Sequence, residues 1–271
     1  MPEVFVSGAF NDLRSRDVRF LQEASRLGDV TVLLWSDEYF RAMDGHLPEF
    51  LGVERRYMLE AIRYVSRVEL MDGPIERDRF SFRSGLRPDL WAMTEAQDKP
   101  DLRQFCASLG IGCRVIQSSQ LEGFPPPLQP ATTSTGKKVI VTGCYDWLHS
   151  GHIRFFEQAS AYGELHVSVG NDANIRSLKG EGHPFLPKDE RTYMVEAIRF
   201  VSQAFVAAGF GWLDAGTEIE RIKPDIYLVN EDGDQPEKRL FCATHGMQYV
   251  VLQRLPKEGL PTRQSTHLRG F

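Results

Sequence analysis

The chain repeats itself at a spacing of about half its length. Val139–Ser160 reads VIVTGCYDWLHSGHIRFFEQAS and Val4–Ser25 reads VFVSGAFNDLRSRDVRFLQEAS, with nine of 22 positions identical at an offset of 135 residues. A second pair, Glu54–Val68 and Glu190–Ala204, shares ten of 15 positions at an offset of 136. One inserted residue therefore aligns the chain with itself, and a period this long indicates a duplicated domain rather than a solenoid.

The repeat sets the expected domain organisation. The 271 residues are enough for two domains of about 130 residues each. The joint between the copies reads PLQPATTSTGKK, which is rich in Pro, Thr and Gly and has no apolar periodicity. We expect a first domain over residues 1–127, a linker over 128–136 and a second domain over 137–271.

Both copies show the same order of short apolar runs and amphipathic segments. In the second copy, strands are expected at residues 139–142, 165–169, 226–229 and 249–252, with helices at 153–162, 191–201 and 240–245. Strands that alternate with helices predict an α/β fold, here two tandem Rossmann-like units that each form a parallel, doubly wound sheet. Ligands of such sheets bind beyond the carboxyl ends of the strands.

Composition excludes several classes of function. The net charge of −5 gives no basic surface for nucleic acid or anionic lipid. No apolar run approaches the ~20 residues of a membrane helix, and the start, MPEVFVSGAF, lacks a signal-like core. We therefore expect a cytoplasmic protein that binds no nucleic acid and no membrane. The four cysteines have no metal-like pairing and are expected to be free thiols.

Two histidines mark the candidate site. His149 and His152 lie between a predicted strand and a predicted helix, with Gly151 between them. Imidazoles at positions i and i+3 point to one side, and the N–H groups of a helix start favour phosphate. This arrangement suits donors aimed at a phosphoryl group that gains charge in its transition state. The alternatives are capping or packing histidines, or a zinc site with His166 and His183, which have no recognised ligand spacing.

The segment GCYDWLHSGH resembles the G-x-F-D-x-x-H-x-G-H signature of the nucleotidylyltransferase superfamily, with Tyr145 in place of Phe. LKGEGHP supplies Lys179 where that family has a phosphate-binding lysine, and KDERTYMVEAIRFVSQAFVA is similar to the E-R helix of cytidylyltransferases. PDIYLVNEDGD is similar to their P-D-x-x-x-x-G-x-D segment, with Asn230 in place of Gly. TRQSTHLRG is similar to the I-S-T-T helix start, with Gln264 and His267 replacing Ile and Thr.

The resemblance implies site residues of two kinds. The catalytic residues would be His149, His152 and Lys179. The nucleotide-binding residues would be Gly143, Tyr145, Asp146, Gly151, Arg191, Asp232, Ser265 and Thr266. Taken singly, several have plainer interpretations: Lys179 as a solvated loop residue, Arg191 as a helix surface charge, and Ser265 with Thr266 as a helix cap.

The resemblance also implies a reaction. A nucleoside triphosphate would bind over the histidine loop, the phosphate of a small acceptor would attack the α-phosphorus, and pyrophosphate would leave. Mg²⁺ would be held mainly by the nucleotide phosphates, with no metal site on the protein. CTP is favoured, because the E-R helix and the tandem arrangement resemble ethanolamine-phosphate cytidylyltransferases. Two alternatives stay open: ATP with a sugar-phosphate or cofactor-precursor acceptor, and a non-catalytic nucleotide sensor.

The first copy lacks the residues that a triphosphate would contact. Arg14 faces His149, Arg16 faces Gly151 and Asp17 faces His152, while residues 37–53 contain no lysine to match Lys179. We therefore predict that residues 1–127 are non-catalytic and pack against the second copy as an intramolecular pseudo-dimer. A homodimer, and a regulatory ligand site in the first copy, are the alternatives.

Overall fold

The computed structural model describes residues 1–73, 87–125 and 136–268; for Thr266 and His267 it describes the backbone alone. The chain divides into two compact units, Met1–Gly123 and Phe124–Phe271. Nearly all of the predicted linker lies outside the described residues, so its predicted limits stay a prediction. Within the described residues, no helix is both long and apolar enough to cross a membrane.

The first unit is a five-stranded parallel sheet with helices in its crossovers, in the strand order β3-β2-β1-β4-β5. Its elements are β1 (Glu3–Gly8), α1 (Ser15–Ser25), β2 (Asp29–Trp35), α2 (Asp37–Asp44), α3 (Gly52–Glu60), β3 (Arg67–Met71), β4 (Leu90–Thr94), α4 (Pro100–Leu109) and β5 (Gly112–Ile116).

The second unit has the same order, β10-β9-β6-β7-β8 read from the opposite edge, and all its strand pairs are parallel. Its elements are β6 (Lys138–Gly143), α5 (Ser150–Ser160), β7 (Glu164–Val169), α6 (Asp172–Lys179), α7 (Lys188–Glu196), β8 (Gln203–Val206), α8 (Gly216–Ile222), β9 (Ile226–Asn230), α9 (Pro236–Thr244), β10 (Gln248–Leu252) and α10 (Ser265–Leu268). The predicted fold class, two Rossmann-like α/β units, is confirmed.

The central strand of the second unit explains where a site forms. Val139, Ile140 and Val141 of β6 are fully buried, as expected for a parallel strand covered on both faces. β6 pairs with β7 on one side and with β9 on the other. From β6 the following strands are added first on one side, as β7 and β8, and then on the other side, as β9 and β10. The crevice beyond the carboxyl ends of β6 and β9, where this order reverses, is the usual ligand position in such folds.

The predicted helix 191–201 is wrong at its C-terminal end. α7 stops at Glu196, and the next residues turn through i→i+3 hydrogen bonds, from Ile198 N–H to Val195 O and from Val201 N–H to Ile198 O. Ile198 and Val201 are buried in that turn, so their apolar spacing reflected burial rather than continued helix. The sequence did not reveal α6, β8 and α8. All three are short, and the two helices carry few apolar residues.

Candidate active site

A cavity of about 600 Å³ lies at the carboxyl ends of β6 and β9. It brings together most of the predicted site residues with several that were not predicted. Its lining is Thr142, Gly143, Cys144, Tyr145, Asp146, His149, Gly151, His152, Phe155, Lys179, His183, Val229, Asn230, Asp232, Gly233, Lys238, Arg254, Gln264 and Ser265.

His149 has its tautomer fixed by the helix that follows it. It is the N-cap of α5, and its Nδ1 accepts a hydrogen bond from the Gly151 N–H at 3.1 Å. Burial, followed by repulsion from Arg254 and Arg263, lowers the pKa of His149 to about 3. The ring is therefore neutral near pH 7 and carries its proton on Nε2. That Nε2–H is buried without a partner among the described residues, so it is a donor available to a ligand.

His152 stacks on His149, with ring centroids 4.0 Å apart and planes 21° from parallel. Burial, with a smaller contribution from His149, lowers the pKa of His152 well below its usual 6.5. Its Nδ1 is also buried without a partner among the described residues. Gly151 keeps this position uncrowded, because a Cβ there would lie 3.0 Å from the His149 ring. The loop therefore presents two close imidazoles with unsatisfied ring nitrogens.

Tyr145 and Gly143 form one packing unit below the histidines. Tyr145 has a φ of 52°, in the left-handed region, which turns its ring back over the end of β6. A Cβ on Gly143 would lie 2.6 Å from that ring, so glycine is needed there for packing. The ring meets His152 edge to face, with centroids 5.4 Å apart, and packs on Phe156 from the other side.

Asp146 binds the loop that contains Phe185 and Leu186. Its buried carboxylate accepts hydrogen bonds from the N–H groups of Phe185 and Leu186 at 2.8 to 2.9 Å. His183, on the same loop, places Nδ1 3.7 Å from the carboxylate. Asp146 therefore positions the segment that follows Lys179. Its predicted contact with a nucleotide stays a prediction.

Arg191 is a fully buried brace that does not line the cavity. Its guanidinium donates to Leu186 O, Cys144 O, Gly170 O and the Asp172 carboxylate, at 2.6 to 2.9 Å. These bonds tie α7 to the loops that follow β6 and β7. The structure gives Arg191 this bracing role, and a direct contact with a nucleotide stays a prediction.

Three cationic side chains give the cavity its charge. Lys179, at the end of α6, is exposed and makes no hydrogen bond or ion pair with another described residue. Lys238, on α9, donates to Gly233 O at 3.0 Å, and burial lowers its pKa. Arg254 pairs with the predicted Asp232 and donates to Arg263 O at 3.2 Å. An anionic ligand is therefore favoured.

Sequence reasoning missed Lys238 and Arg254, because each is a single cation outside any motif. The repeat held the signal: Leu102 and Ser118 occupy the equivalent positions of the first unit at an offset of 136. The unit that keeps the histidines thus has a cation at both positions, where the first unit has an apolar or neutral residue. This is the difference expected if the second unit binds an anionic ligand.

The last part of the chain closes one side of the cavity. Ser265 begins α10 and lines the cavity, where its hydroxyl donates to Trp147 O at 3.4 Å. The side chain of Thr266 is outside the described part of the structure, so its predicted role is untested. Asn230, which replaces the family glycine, lines the cavity at the end of β9, and its Oδ1 has no partner among the described residues.

The acidic residues of the cavity do not fit a metal site held by the protein. Asp146 is occupied by two backbone N–H groups and Asp232 by Arg254. Across residues 1–73, 87–125 and 136–268, no group of three or more His, Cys, Asp or Glu side chains could hold an ion. The prediction that Mg²⁺ is held mainly by the nucleotide phosphates stays a prediction.

A parallel sheet with a cationic cavity at its switch point is the arrangement of α/β domains that bind phosphorylated ligands. Residues 140–243 match the model of the cytidylyltransferase-like family. A FAD synthase of Ferroglobus placidus is 36% identical over 125 residues, which are 45% of this chain and 78% of that protein. The chain therefore belongs to the cytidylyltransferase-like family of nucleotidyltransferases.

Two further similarities involve a longer relative and a solved structure. The bifunctional protein HldE of Geobacter metallireducens is 32% identical over 107 residues, 38% of this chain and 21% of that protein. The chain thus spans about a fifth of that relative's length. Among solved structures, the lipopolysaccharide core biosynthesis protein of Thermoplasma volcanium GSS1 is 24% identical with a TM-score of 0.39, covering 45% of this chain and 99% of that one.

Proposed function

We propose that the second unit transfers a nucleoside monophosphate from a nucleoside triphosphate to a phosphorylated small molecule and releases pyrophosphate. The observation that carries this proposal is the stacked pair His149 and His152, whose unsatisfied ring nitrogens line a cavity with Lys179, Lys238 and Arg254. The Nε2–H of His149 is a buried donor without a partner among the described residues, which is costly in the free protein, and a phosphate would supply the missing acceptor.

The reaction needs no covalent intermediate with the protein. A phosphate oxygen of the acceptor forms a bond to the α-phosphorus, in line with the bond to the β-bridging oxygen, which breaks as pyrophosphate leaves. His149 would donate its Nε2–H to a phosphoryl oxygen that gains negative charge. Lys179, unpaired among the described residues, would neutralise charge on the acceptor or the α-phosphate. Mg²⁺ would enter bound to the triphosphate, as part of the substrate.

The nucleotide base is the open part of the proposal. The E-R helix and the tandem arrangement favour CTP. Relatives named FAD synthase favour ATP, because FAD contains an adenylyl group. The first unit, without the histidines, would act as a non-catalytic partner of the second, a proposal that rests on its sequence.

The test is pyrophosphate release by the full chain with Mg²⁺, each of the four ribonucleoside triphosphates, and a panel of phosphorylated alcohols, sugars and FMN. We expect one triphosphate and one acceptor class to give turnover that depends on both. Binding of a triphosphate without turnover across the panel would favour the sensor, and binding of none of the four would overturn the assignment. A matched control, Arg14→Ala in the first unit, should leave the turnover unchanged.

A further inference from the structure

A buried hydroxyl in the cavity wall has no partner. Tyr145 is 6% exposed, and its phenolic oxygen makes no hydrogen bond within the described part of the chain. The oxygen lies above Gly143, within 2.9 Å of where a Cβ on that residue would be, at the carboxyl end of β6. Leaving a hydroxyl donor unsatisfied in a protein interior is unfavourable. A hydrogen bond to a bound ligand would explain why this hydroxyl is present.

The first unit shows that the fold does not need this hydroxyl. Phe10 occupies the equivalent position, with a φ of 46° against 52° for Tyr145. Its ring also packs over a glycine, since a Cβ on Gly8 would lie 3.0 Å from it. The same backbone, glycine and aromatic ring are therefore kept in both units, and the hydroxyl is present only in the unit that keeps the histidine pair.

The ring of Tyr145 borders a cationic cavity, and the groups that act on its hydroxyl are Tyr227, Cys144 and Asp214. The ring contacts His152 edge to face, and the cavity that it lines also holds Lys179 and Lys238. Burial raises the pKa of Tyr145 far above its usual 10, so the phenol stays protonated at every working pH and can only donate to an anion. A phosphoryl oxygen that enters this cavity would supply the acceptor that the hydroxyl lacks.

We propose that the Tyr145 hydroxyl is a substrate-binding group, which donates a hydrogen bond to a phosphoryl oxygen of the bound nucleoside triphosphate. This inference rests on the proposed function and adds one defined contact to it. It predicts that Tyr145 lowers the stability of the free protein in exchange for affinity, a combination that a purely structural tyrosine would not show.

The experiment measures CTP and ATP binding to the full chain by calorimetry, and the melting temperature of the free protein, for wild type and Tyr145→Phe. The variant copies Phe10, so it should fold. Loss of one hydrogen bond to a charged group should raise the Kd of the bound triphosphate about 10- to 100-fold. Removal of an unsatisfied hydroxyl should raise the Tm of the free protein by about 2–6 °C.

Tyr227→Phe is the matched control. Tyr227 is also buried, but its hydroxyl lies 3.1 Å from Thr142 Oγ1 and is satisfied within the protein. That variant should gain no stability and should bind nucleotide within about twofold of wild type. If wild type binds CTP or ATP and Tyr145→Phe binds it equally well, the inference is wrong while the proposed function stands. If wild type binds no nucleoside triphosphate, the proposed function itself fails.

Discussion

The two units of the chain share a buried arginine network but differ in the loops that this network supports. Arg55 and Arg191 are both fully buried and brace equivalent backbone positions. Arg55 donates to Ala9 O, Trp35 O and the Asp37 carboxylate, and Arg191 donates to Cys144 O, Gly170 O and the Asp172 carboxylate. The partners of the two arginines are all 135 residues apart, so this network belongs to the fold.

The loops held by these braces differ in how their polar groups are satisfied. In the first unit, Arg14 caps α1 and pairs with Asp12 at 2.5 Å, and Asp17 accepts the Arg14 N–H at 2.9 Å. This loop satisfies its charges internally. In the second unit, His149 and His152 keep buried ring nitrogens without partners among the described residues. The comparison separates groups that fold the loop from groups that await a ligand.

The helices after the second strand of each sheet show the same contrast in charge. α2 and α6 are both eight residues long, and each is followed by a glycine, which aligns them at an offset of 135. Asp44 therefore occupies the position of Lys179. The cation that we propose to bind phosphate in the second unit therefore corresponds to an anion in the first unit, which sharpens the prediction that the first unit does not bind a triphosphate.

The largest expected effect tests the shared brace. Arg191→Met leaves three carbonyl groups and the Asp172 carboxylate without their buried cation, and removing one partner of such a pair costs about 3–5 kcal/mol. Arg55→Met should destabilise the first unit by a similar amount. Urea unfolding followed by hydrogen exchange assigns each loss to its unit. A stable Arg55→Met beside an unfolded Arg191→Met would break the equivalence of the two units.

The next effect tests the difference between the loops. His152→Ala should reduce turnover about 10²–10³-fold with the fold intact, because one of the two imidazoles that we propose to contact the charged transition state is lost. Asp17→Ala, at the equivalent position of the first unit, should leave turnover unchanged. Steady-state pyrophosphate release, with circular dichroism as a folding control, measures both variants. Normal turnover in His152→Ala would remove the histidine pair from the mechanism.

A smaller effect is expected at the helix ends. Lys179→Ala should raise KM or lower kcat by about 10- to 100-fold, the range for one charge-assisted hydrogen bond. Lys179→Asp, which copies Asp44, should lower kcat/KM further because it repels the phosphates. Asp44→Ala serves as the control in the first unit. Equal activity of the alanine and aspartate variants of Lys179 would show that its charge does not act on the substrate.

The mildest effect concerns pH. The pKa of His149 falls from 6.5 in the unfolded chain to about 3 in the folded protein, so the unfolded chain binds the extra proton first. The second unit should therefore lose about 1.4 kcal/mol of stability per pH unit from this residue as the pH falls below 6.5. His152 and His166, whose pKa values are also lowered by burial, act in the same direction.

The first unit should respond in the opposite sense. Burial raises the pKa of Asp17 above 3.8, so the folded state takes up this proton first and gains stability as the pH falls toward that range. Hydrogen exchange of the full chain between pH 7 and pH 5 resolves the two units. His149→Asn should flatten the profile of the second unit, and an unchanged profile would contradict the buried neutral state of His149.

Much of the fold followed from the repeat. The alternation of strands and helices predicted both parallel sheets, because buried strands are short and apolar and their positions recur in two copies. The predicted C-terminal end of α7 was wrong, because the apolar spacing of Ile198 and Val201 is equally compatible with a buried turn. The helices α6 and α8 were missed, since their stability comes from contacts rather than from periodicity.

The sequence predicted the site residues that belong to one local motif. It did not predict those that reach the cavity from parts of the chain far apart in sequence. The histidine loop places His149 and His152 within four residues, so its geometry follows from one helix start. The motif did not reveal that Arg191 donates to three backbone carbonyls, and the ligand contact that the motif implies stays a prediction. Lys238 and Arg254 reach the cavity from separate elements, which no local pattern reveals.

The brace has a consequence for protein engineering. Arg55 and Arg191 bond equivalent backbone carbonyls in the two units. The backbone contacts that support the segment from β6 to α5 are therefore also present in the first unit. Transplanting residues 143–152 over residues 8–17 should be tolerated by the host backbone, since Phe10 and Tyr145 already share one conformation. The first unit is therefore a host into which the residues of the histidine loop can be introduced one at a time.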